Sequence, residues 1–328
     1  AQISTNGMKQ LLSAPASNQT FGLQAMTEEI HATFQIESIH SSRNSIRHIL
    51  NGYAPRNEEE SRIYGMKRGL DFIADRQNTI TEENLHQLYQ ISTGDYLPDE
   101  DRLLPDHFYR HDVVYVVGGE ESREGLPAQQ LPDAMKRLVD FANAKDGINE
   151  LHKAAILHLA FAYYHPYFDG NGRTARLLHL WYLVQQGYPA ALFTPFSRYI
   201  AESKAAYYKA YDRVEKNALI SGYTDVTPFL SYFCNEVYNR LQVDAIPPQA
   251  DLQVYQTALA NGKITEKERL LWEYVLSAYG TEEFTTKQLE KDFRNAAYAT
   301  IRTFVMKFHE MGLLAARKAG NRVYYKVR

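Results

Sequence analysis

The sequence predicts a mainly α-helical protein with one small hairpin in its larger part and a mixed α+β module at its C-terminal end. Three observations predict it. Most of the chain from Thr27 to Gln242 reads as segments with apolar residues at helical spacing, each bounded by Gly, Pro, Asn or Thr. One stretch, DHFYRHDVVYVVGG (106–119), is instead β-branched and aromatic and closes on Gly-Gly, which marks a strand or hairpin. Residues 263–328 read as three helices followed by two short strands.

Composition sets the bounds. The chain has 328 residues, 45% hydrophobic and 23% charged, which is enough for a real core in one large or two to three smaller domains. A net charge of −3 excludes a basic nucleic-acid-coating protein. The single cysteine, Cys234, excludes an internal disulfide framework, fits a reducing compartment and reads as a structural thiol. The N-terminal AQISTNGMKQLLSAP has no apolar signal core, and no apolar run reaches the roughly 18 residues a membrane span needs. The expectation is a cytoplasmic protein with no membrane partner. Charge is uneven: Gly262 to Arg328 holds thirteen Lys/Arg against eight Asp/Glu, a net +5 that leaves −8 for the rest. That asymmetry predicts a separate C-terminal module with its own partner.

In chain order, Thr27 caps a segment in which Ile30, Phe34, Ile36, Ile39 and Ile46 recur near helical spacing, giving one or two helices to about Leu50. NGYAP is a turn, 58–75 a further helix, and TEENLHQLYQIS a short capped one. After the hairpin come five helical segments: DAMKRLVDFANAK, INELHKAAILHLAFAYYH, RTARLLHLWYLVQQG, SKAAYYKAYDRVEK and TPFLSYFCNEVYNRLQ. AIPPQADLQVYQTALANGK, with two prolines, reads as a linker. Beyond it TEKERLLWEYVLSAYG, TTKQLEKDF and NAAYATIRTFVMKFHEMG read as helices, and LLAARKAGNRVYYKVR as a hairpin turning at Gly320-Asn321. Three helices and a hairpin are the order of a winged helix. The expected domains are residues 1–60 as an N-terminal helical region, 61–245 as a core, 246–262 as linker and 263–328 as winged helix.

The chemistry concentrates in YYHPYFDGNGRTAR (163–176). Pro166 disfavours helical geometry for the residue before it, so His165 stands at the C-terminal edge of a helix. Gly170 and Gly172 allow a ligand close to the backbone, and the segment from Arg173 is helical, so loop N–H groups and a helix N-terminus face the same way as an anion site. Arg173 and Arg176, three apart, offer two guanidinium forks to a polyphosphate. A carboxylate beside phosphates, here Asp169, suits Mg²⁺. His165 is left to remove a proton from an attacking hydroxyl. Competing readings fit less well. GNGRTA matches the dinucleotide pattern G-x-G-x-x-A, but a helical run precedes it and no acid follows at the right distance. There is no Walker loop, and an EF-hand lacks its acid at position 12. A bland capped helix-turn-helix with solvated arginines suits any one of these residues alone but not the set.

HPYFDGNGRTAR resembles the signature of Fic-domain proteins, H-P-F-x-[D/E]-G-N-G-R-x-x-R, with Tyr167 for the usual phenylalanine. The resemblance covers about residues 30 to 245. It implies a helical Fic core with a β-hairpin flap, and an activity in which AMP passes from ATP to a Ser, Thr or Tyr hydroxyl of a target protein. Under it His165 is the base and Asp169 the Mg²⁺ ligand. The backbone of Gly170, Asn171 and Gly172 holds the phosphates, with Arg173 and Arg176 at the β/γ end. YRHDVVYVVGG is similar to the Fic flap, which lines the nucleotide and pairs with the target segment; Arg110, Val114 and Val116 fall on its pattern R-x-x-x-V-x-[VI]. Tyr207 and Tyr208 resemble a tyrosine pair that lies near the nucleotide.

TFQIES (33–38) resembles the inhibitory motif [S/T]-x-x-x-E-[G/N] of the same family, placed N-terminal to the core, with Ser38 where Gly or Asn is usual. It implies that Glu37 reaches Arg176 and occupies the place of the ATP γ-phosphate. In some relatives the same glutamate supports removal of AMP, and others transfer a different phosphate-containing group. Fic proteins often form homodimers. In the C-terminal module Arg317, Lys318, Arg322, Lys326 and Arg328 fall on the expected wing, and Arg302 and Lys307 on the expected recognition helix. DNA and a protein partner are equally compatible with that pattern. The primary expectation is an ATP- and Mg²⁺-dependent adenylyltransferase restrained by Glu37; the alternative is a DNA-binding regulator whose Fic core senses nucleotide.

Overall fold

The computed structural model describes residues 22–116, 123–244, 249–279 and 282–328. The chain forms two compact units, one built on Glu28–Val243 and one on Asp244–Arg328.

The first unit is helical. It comprises α1 (Gly22–Ile36) from Glu28 onward, α2 (Arg43–Leu50), α3 (Glu58–Ala74), α4 (Glu82–Ser92), a two-stranded hairpin β1 (Tyr115–Val116) and β2 (Arg123–Glu124), α5 (Leu131–Asn143), α6 (Glu150–Tyr164), α7 (Asn171–Gln185), α8 (Phe196–Glu202), α9 (Lys204–Ser221) and α10 (Thr227–Tyr232). A π-helical turn, Phe233–Tyr238, leads into α11 (Asn239–Asp244). Ser42, Asn57, Thr81 and Asn149 cap helix starts, each side chain accepting a backbone N–H of the first turn. Thr27, expected as a cap, is not one: α1 already runs from Gly22, and Thr27 lies buried within it.

Helices α6 and α7 form the centre. Both are buried on nearly all faces, the mark of a helix surrounded by protein. Leu157, Phe161, Leu177, Leu178 and Trp181 are buried between them and their neighbours. Burying each such side chain contributes about 1.5–3 kcal/mol. Helix α3 packs on α7 and α4, and α2 packs on α3. The N-terminal helices from Glu28 onward and the core therefore share one unit, with no break at residue 60. The two prolines expected in a linker precede α12 (Gln249–Ala260), a helix where a linker was expected. The reason is tertiary: Ala258 joins the core of the second unit, and the Tyr255 ring lies 6.0 Å from that of Trp272. Residues 1–21, 245–248 and the Val117–Ser122 end of the expected hairpin lie outside the described residues.

In the second unit α13 (Glu266–Ala278), α14 (Thr286–Phe293) and α15 (Tyr298–Glu310) precede β3 (Leu314–Ala319) and β4 (Arg322–Val327), which pair from Leu314↔Val327 to Ala319↔Arg322. Thr265 and Glu268 form a reciprocal capping box at the start of α13. Phe284 bridges Tyr325 by two 2.8 Å backbone hydrogen bonds, adding a third extended segment to the hairpin. Leu271, Val275, Phe284, Leu289, Ile301, Phe304, Phe308 and Leu314 close a separate hydrophobic core. Two of the expected surface cations have partners. Lys307 turns to Glu268 at 2.8 Å and ties α15 to the cap of α13, and Arg317 forms a two-point pair with Glu283.

Candidate active site

The loop between α6 and α7 is set by its own side chains. The Asn171 amide accepts from Tyr167 N–H at 2.9 Å and donates to Tyr167 C=O at 2.8 Å, closing the loop on itself. Tyr167 is buried and stacks on Tyr89 at 3.6 Å, so the aromatic exchange at this position keeps its packing role. Gly170 caps α7 at φ 78°, and a Cβ there would run into Thr93. The N–H groups of the first turn of α7 have no intrahelical partner by geometry, and face a site with positive potential.

Arg173 and Arg176 are 3% and 4% exposed, an unusual depth for two cations on one helix face. Both hold Glu37. Arg173 Nε donates to Glu37 Oε2 at 2.7 Å, and Arg176 donates to Glu37 Oε1. Arg173 also donates to Asp169 Oδ2 at 2.9 Å, and Arg176 to the hydroxyl and carbonyl oxygens of Thr33. Burial works against the Arg173 charge, but Glu37 and Asp169 more than offset it and hold the guanidinium above its usual pKa. A Cβ on Gly172 would lie 2.6 Å from Glu37 Oε1, so only glycine admits the carboxylate this close to the backbone. The sequence expectation had Glu37 reaching Arg176 alone; it spans both arginines.

Glu37 is aimed by the end of α1. Ile39 N–H donates to Phe34 C=O and Ser38 N–H to Gln35 C=O, the paired bonds of a Schellman motif. Ser38 is its left-handed residue, at φ 60°. That explains the usual Gly or Asn at this place: both enter left-handed backbone at less cost than serine. Upstream, the buried Glu29 accepts from Ser197 N–H at 2.8 Å and from its hydroxyl, anchoring α1 to α8; burial pushes its pKa up. Glu29, Thr33 and Glu37 recur every four residues on one face of α1 and its end, so the Glu29 anchor extends the TFQIES motif by one turn.

His165 ends α6 in the left-handed region, φ 53° and ψ 60°. Its Nδ1 lies 3.4 Å from Ala162 C=O, an acceptor that favours the Nδ1–H tautomer, with Nε2 as the unprotonated nitrogen. Burial, reinforced by the charges of Arg123 and Arg110, lowers its pKa to about 4. A histidine so depressed is neutral above that pH and becomes cationic only as pH falls through about 4. An NMR titration of Glu37→Gly protein is expected to show the His165 imidazole neutral from pH 8 to about 5, and an inflection near 6.5 contradicts this.

Asp169 is the most open of the set, 52% exposed, with Oδ1 accepting from Gly170 N–H. Val116 is half-buried on β1, paired with Arg123. Tyr208 is half-buried and close enough to Arg176 and Glu37 to feel both charges. Tyr207 is not brought into the open: its hydroxyl sits between His158 Nε2 at 2.8 Å and Tyr211 at 3.1 Å, inside the aromatic packing.

The site brings a helix N-terminus, two buried arginines on that helix and a neutral histidine together around one loop, an arrangement that can hold an anion beside a proton acceptor. Residues 79–183 match the Fic/DOC family, and this segment of the chain is a Fic domain. Protein adenylyltransferase fic-1 of Caenorhabditis elegans is 30% identical over 181 residues, 53% of this chain and 31% of that protein. Protein adenylyltransferase Fic of Drosophila willistoni is 29% identical over 144 residues, 41% of this chain and 26% of that protein. The match thus spans about a third or less of the curated relatives. Among solved structures, a Fic family protein from Desulfovibrio desulfuricans G20 aligns at TM-score 0.61 and 16% identity over 98% of this chain and 94% of its own. A Fic domain containing signaling protein from Bacteroides thetaiotaomicron aligns at 0.53 and 20% over 74% and 90%. These two share the fold. No helix among the described residues is long and apolar enough to cross a membrane.

Proposed function

We propose that this protein transfers AMP from ATP to a Ser, Thr or Tyr hydroxyl of a target protein, and that Glu37 restrains the reaction. One observation carries the reading: two buried guanidinium forks at the N-terminus of α7 are occupied by a carboxylate from the chain itself. Forks that bind a carboxylate at two points bind phosphate oxygens the same way. The curated relatives named as protein adenylyltransferases support ATP as the donor.

In this reading the first-turn N–H groups of α7, with Arg173 and Arg176, hold the β- and γ-phosphates once Glu37 has moved. His165 Nε2 takes the proton of the target hydroxyl as its oxygen attacks the α-phosphorus. The new P–O bond forms as the bond to the bridging oxygen breaks, and pyrophosphate leaves. Catalysis is mostly positioning and charge. Asp169 fits a Mg²⁺ ligand: one exposed carboxylate beside the phosphate site is what that ion takes, the phosphates supplying other oxygens. Mg²⁺ bound there would neutralise phosphate charge. Tyr208 and Val116 border the same region and are proposed to line the nucleoside. Glu37→Gly protein incubated with Mg²⁺, ATP and a cell lysate is expected to leave AMP on hydroxyl side chains by mass spectrometry; its absence there overturns the reading.

For the second unit we propose a winged helix that binds DNA. The specific support is that Arg302, Lys318, Arg322, Lys326 and Arg328 are exposed and make no ion pair among the described residues. Phosphate contacts release counterions, so full-length protein is expected to bind duplex DNA with affinity falling several-fold for each doubling of salt. Salt-independent or undetectable binding contradicts this.

A further inference from the structure

The loop that carries His165 is held by the hairpin across from it, carbonyl by carbonyl. Arg123 of β2 donates to Ala162 C=O at 3.3 Å and to Tyr163 C=O at 3.0 Å. Leu126 N–H donates to Tyr164 C=O at 3.2 Å. Arg110 Nε donates to His165 C=O at 2.8 Å, and Arg110 N–H to Pro166 C=O at 2.9 Å. Five successive carbonyls at the end of α6 are thus taken by the hairpin and its flanks. Helix-end carbonyls need such donors, and guanidinium groups suit the negative end of the helix dipole.

Arg110 is the centre of this arrangement. Its side chain is 2% exposed and its remaining donors go to Asp112 C=O, at 2.5 Å, and to Leu126 C=O. These two carbonyls lie on the chain entering and leaving the hairpin. One guanidinium therefore clasps both limbs of the hairpin to the backbone oxygen of His165. The His165 backbone is in the left-handed region, which disfavours a non-glycine residue and persists only where the surroundings hold it. Gly125 completes the clasp: a Cβ there would lie 2.8 Å from an Arg110 terminal nitrogen and 3.3 Å from His165 Cβ.

We infer that Arg110 is a positioning residue for the transfer reaction: through the His165 carbonyl it holds the imidazole in its reactive direction and couples that direction to the seating of the hairpin. The inference rests on the reading of His165 as base. Arg110 touches neither the phosphate site nor the reacting atoms; it acts through His165. Lysine cannot replace it, because three carbonyls each taken by a different nitrogen of the group match a guanidinium fork and not a single ammonium nitrogen. Misplacing a base by about 1 Å costs on the order of 100-fold in rate.

The test uses full-length Glu37→Gly protein, α-labelled ATP and a fixed lysate acceptor, comparing Arg110→Lys, Gly125→Ala and His165→Ala. Arg110→Lys is expected to lower apparent kcat about 30- to 100-fold while calorimetric ATP affinity stays within about threefold, because the charged phosphate contacts on α7 are untouched and the hairpin adds only the Val116 side chain beside the nucleoside. Gly125→Ala keeps the Arg110 charge, pushes the clasp apart and is expected to lower kcat in the same direction. It decides the matter if Arg110→Lys fails to fold. An apparent kcat within about threefold of the parent, or equal losses in kcat and ATP affinity, overturns the role of Arg110. Full transfer by His165→Ala overturns the base assignment instead, so the two failures are distinguishable.

Discussion

Glu37→Gly is expected to raise AMP transfer about 100-fold over the parent protein at the same ATP concentration. The carboxylate accepts from both Arg173 and Arg176, where the γ-phosphate is proposed to sit. Each charged hydrogen bond is worth about 1.5–3 kcal/mol. A net competitive advantage of about 2.7 kcal/mol, or 100-fold, needs only part of that. The α1 helix stays in place without the carboxylate, since Ile30, Phe34 and Ile36 are buried and Glu29 is anchored to Ser197. Removing one member of a buried ion pair leaves the others uncompensated, at a typical cost of about 3–5 kcal/mol. The variant should therefore melt below the parent without nucleotide and gain more from ATP than the parent does, because phosphates restore the lost charge balance. Equal transfer rates, or an equal ATP-induced rise in Tm, would show that the Glu37 contact is structural only.

The second large effect is loss. His165→Ala in the Glu37→Gly background is expected to lower transfer by about 10²–10⁴-fold, the usual contribution of a placed general base. ATP affinity should change little, since His165 lies at the end of α6 and the proposed phosphate contacts lie on α7 and its arginines. A nucleotide affinity that falls in step with rate would instead make His165 part of the ATP site.

Much of this was legible in the sequence because the relevant interactions are local. The caps at Ser42, Asn57, Thr81 and Asn149, the Pro166 break and the Gly170 turn all act within a few residues, and pattern reading found the corresponding helices. The Gly320-Asn321 hairpin was found for the same reason. The Gln249–Ala260 helix is not legible in the sequence because its seven apolar residues form no single stripe and its support comes from Trp272, outside the window in which periodicity is judged. At the site, the loop residues and Glu37 were visible as motifs. The hydrogen bond of Glu37 to Arg173 was not, since residues 136 apart in sequence meet only in the fold. Arg123 and Gly125 gave no signal at all: their role lies in which carbonyls they face. Tyr207 shows the reverse limit. A tyrosine pair on a helix gives no sign of which member turns inward, and here the hydroxyl of Tyr207 goes to His158.

The most direct test of the central claim supplies Glu37→Gly protein with Mg²⁺, a lysate acceptor and ATP labelled at either the α- or the γ-phosphate. Adenylyl transfer predicts protein-bound label from the α position only, lost when His165→Ala is added. Label from the γ position, or α label that survives the loss of His165, would contradict it.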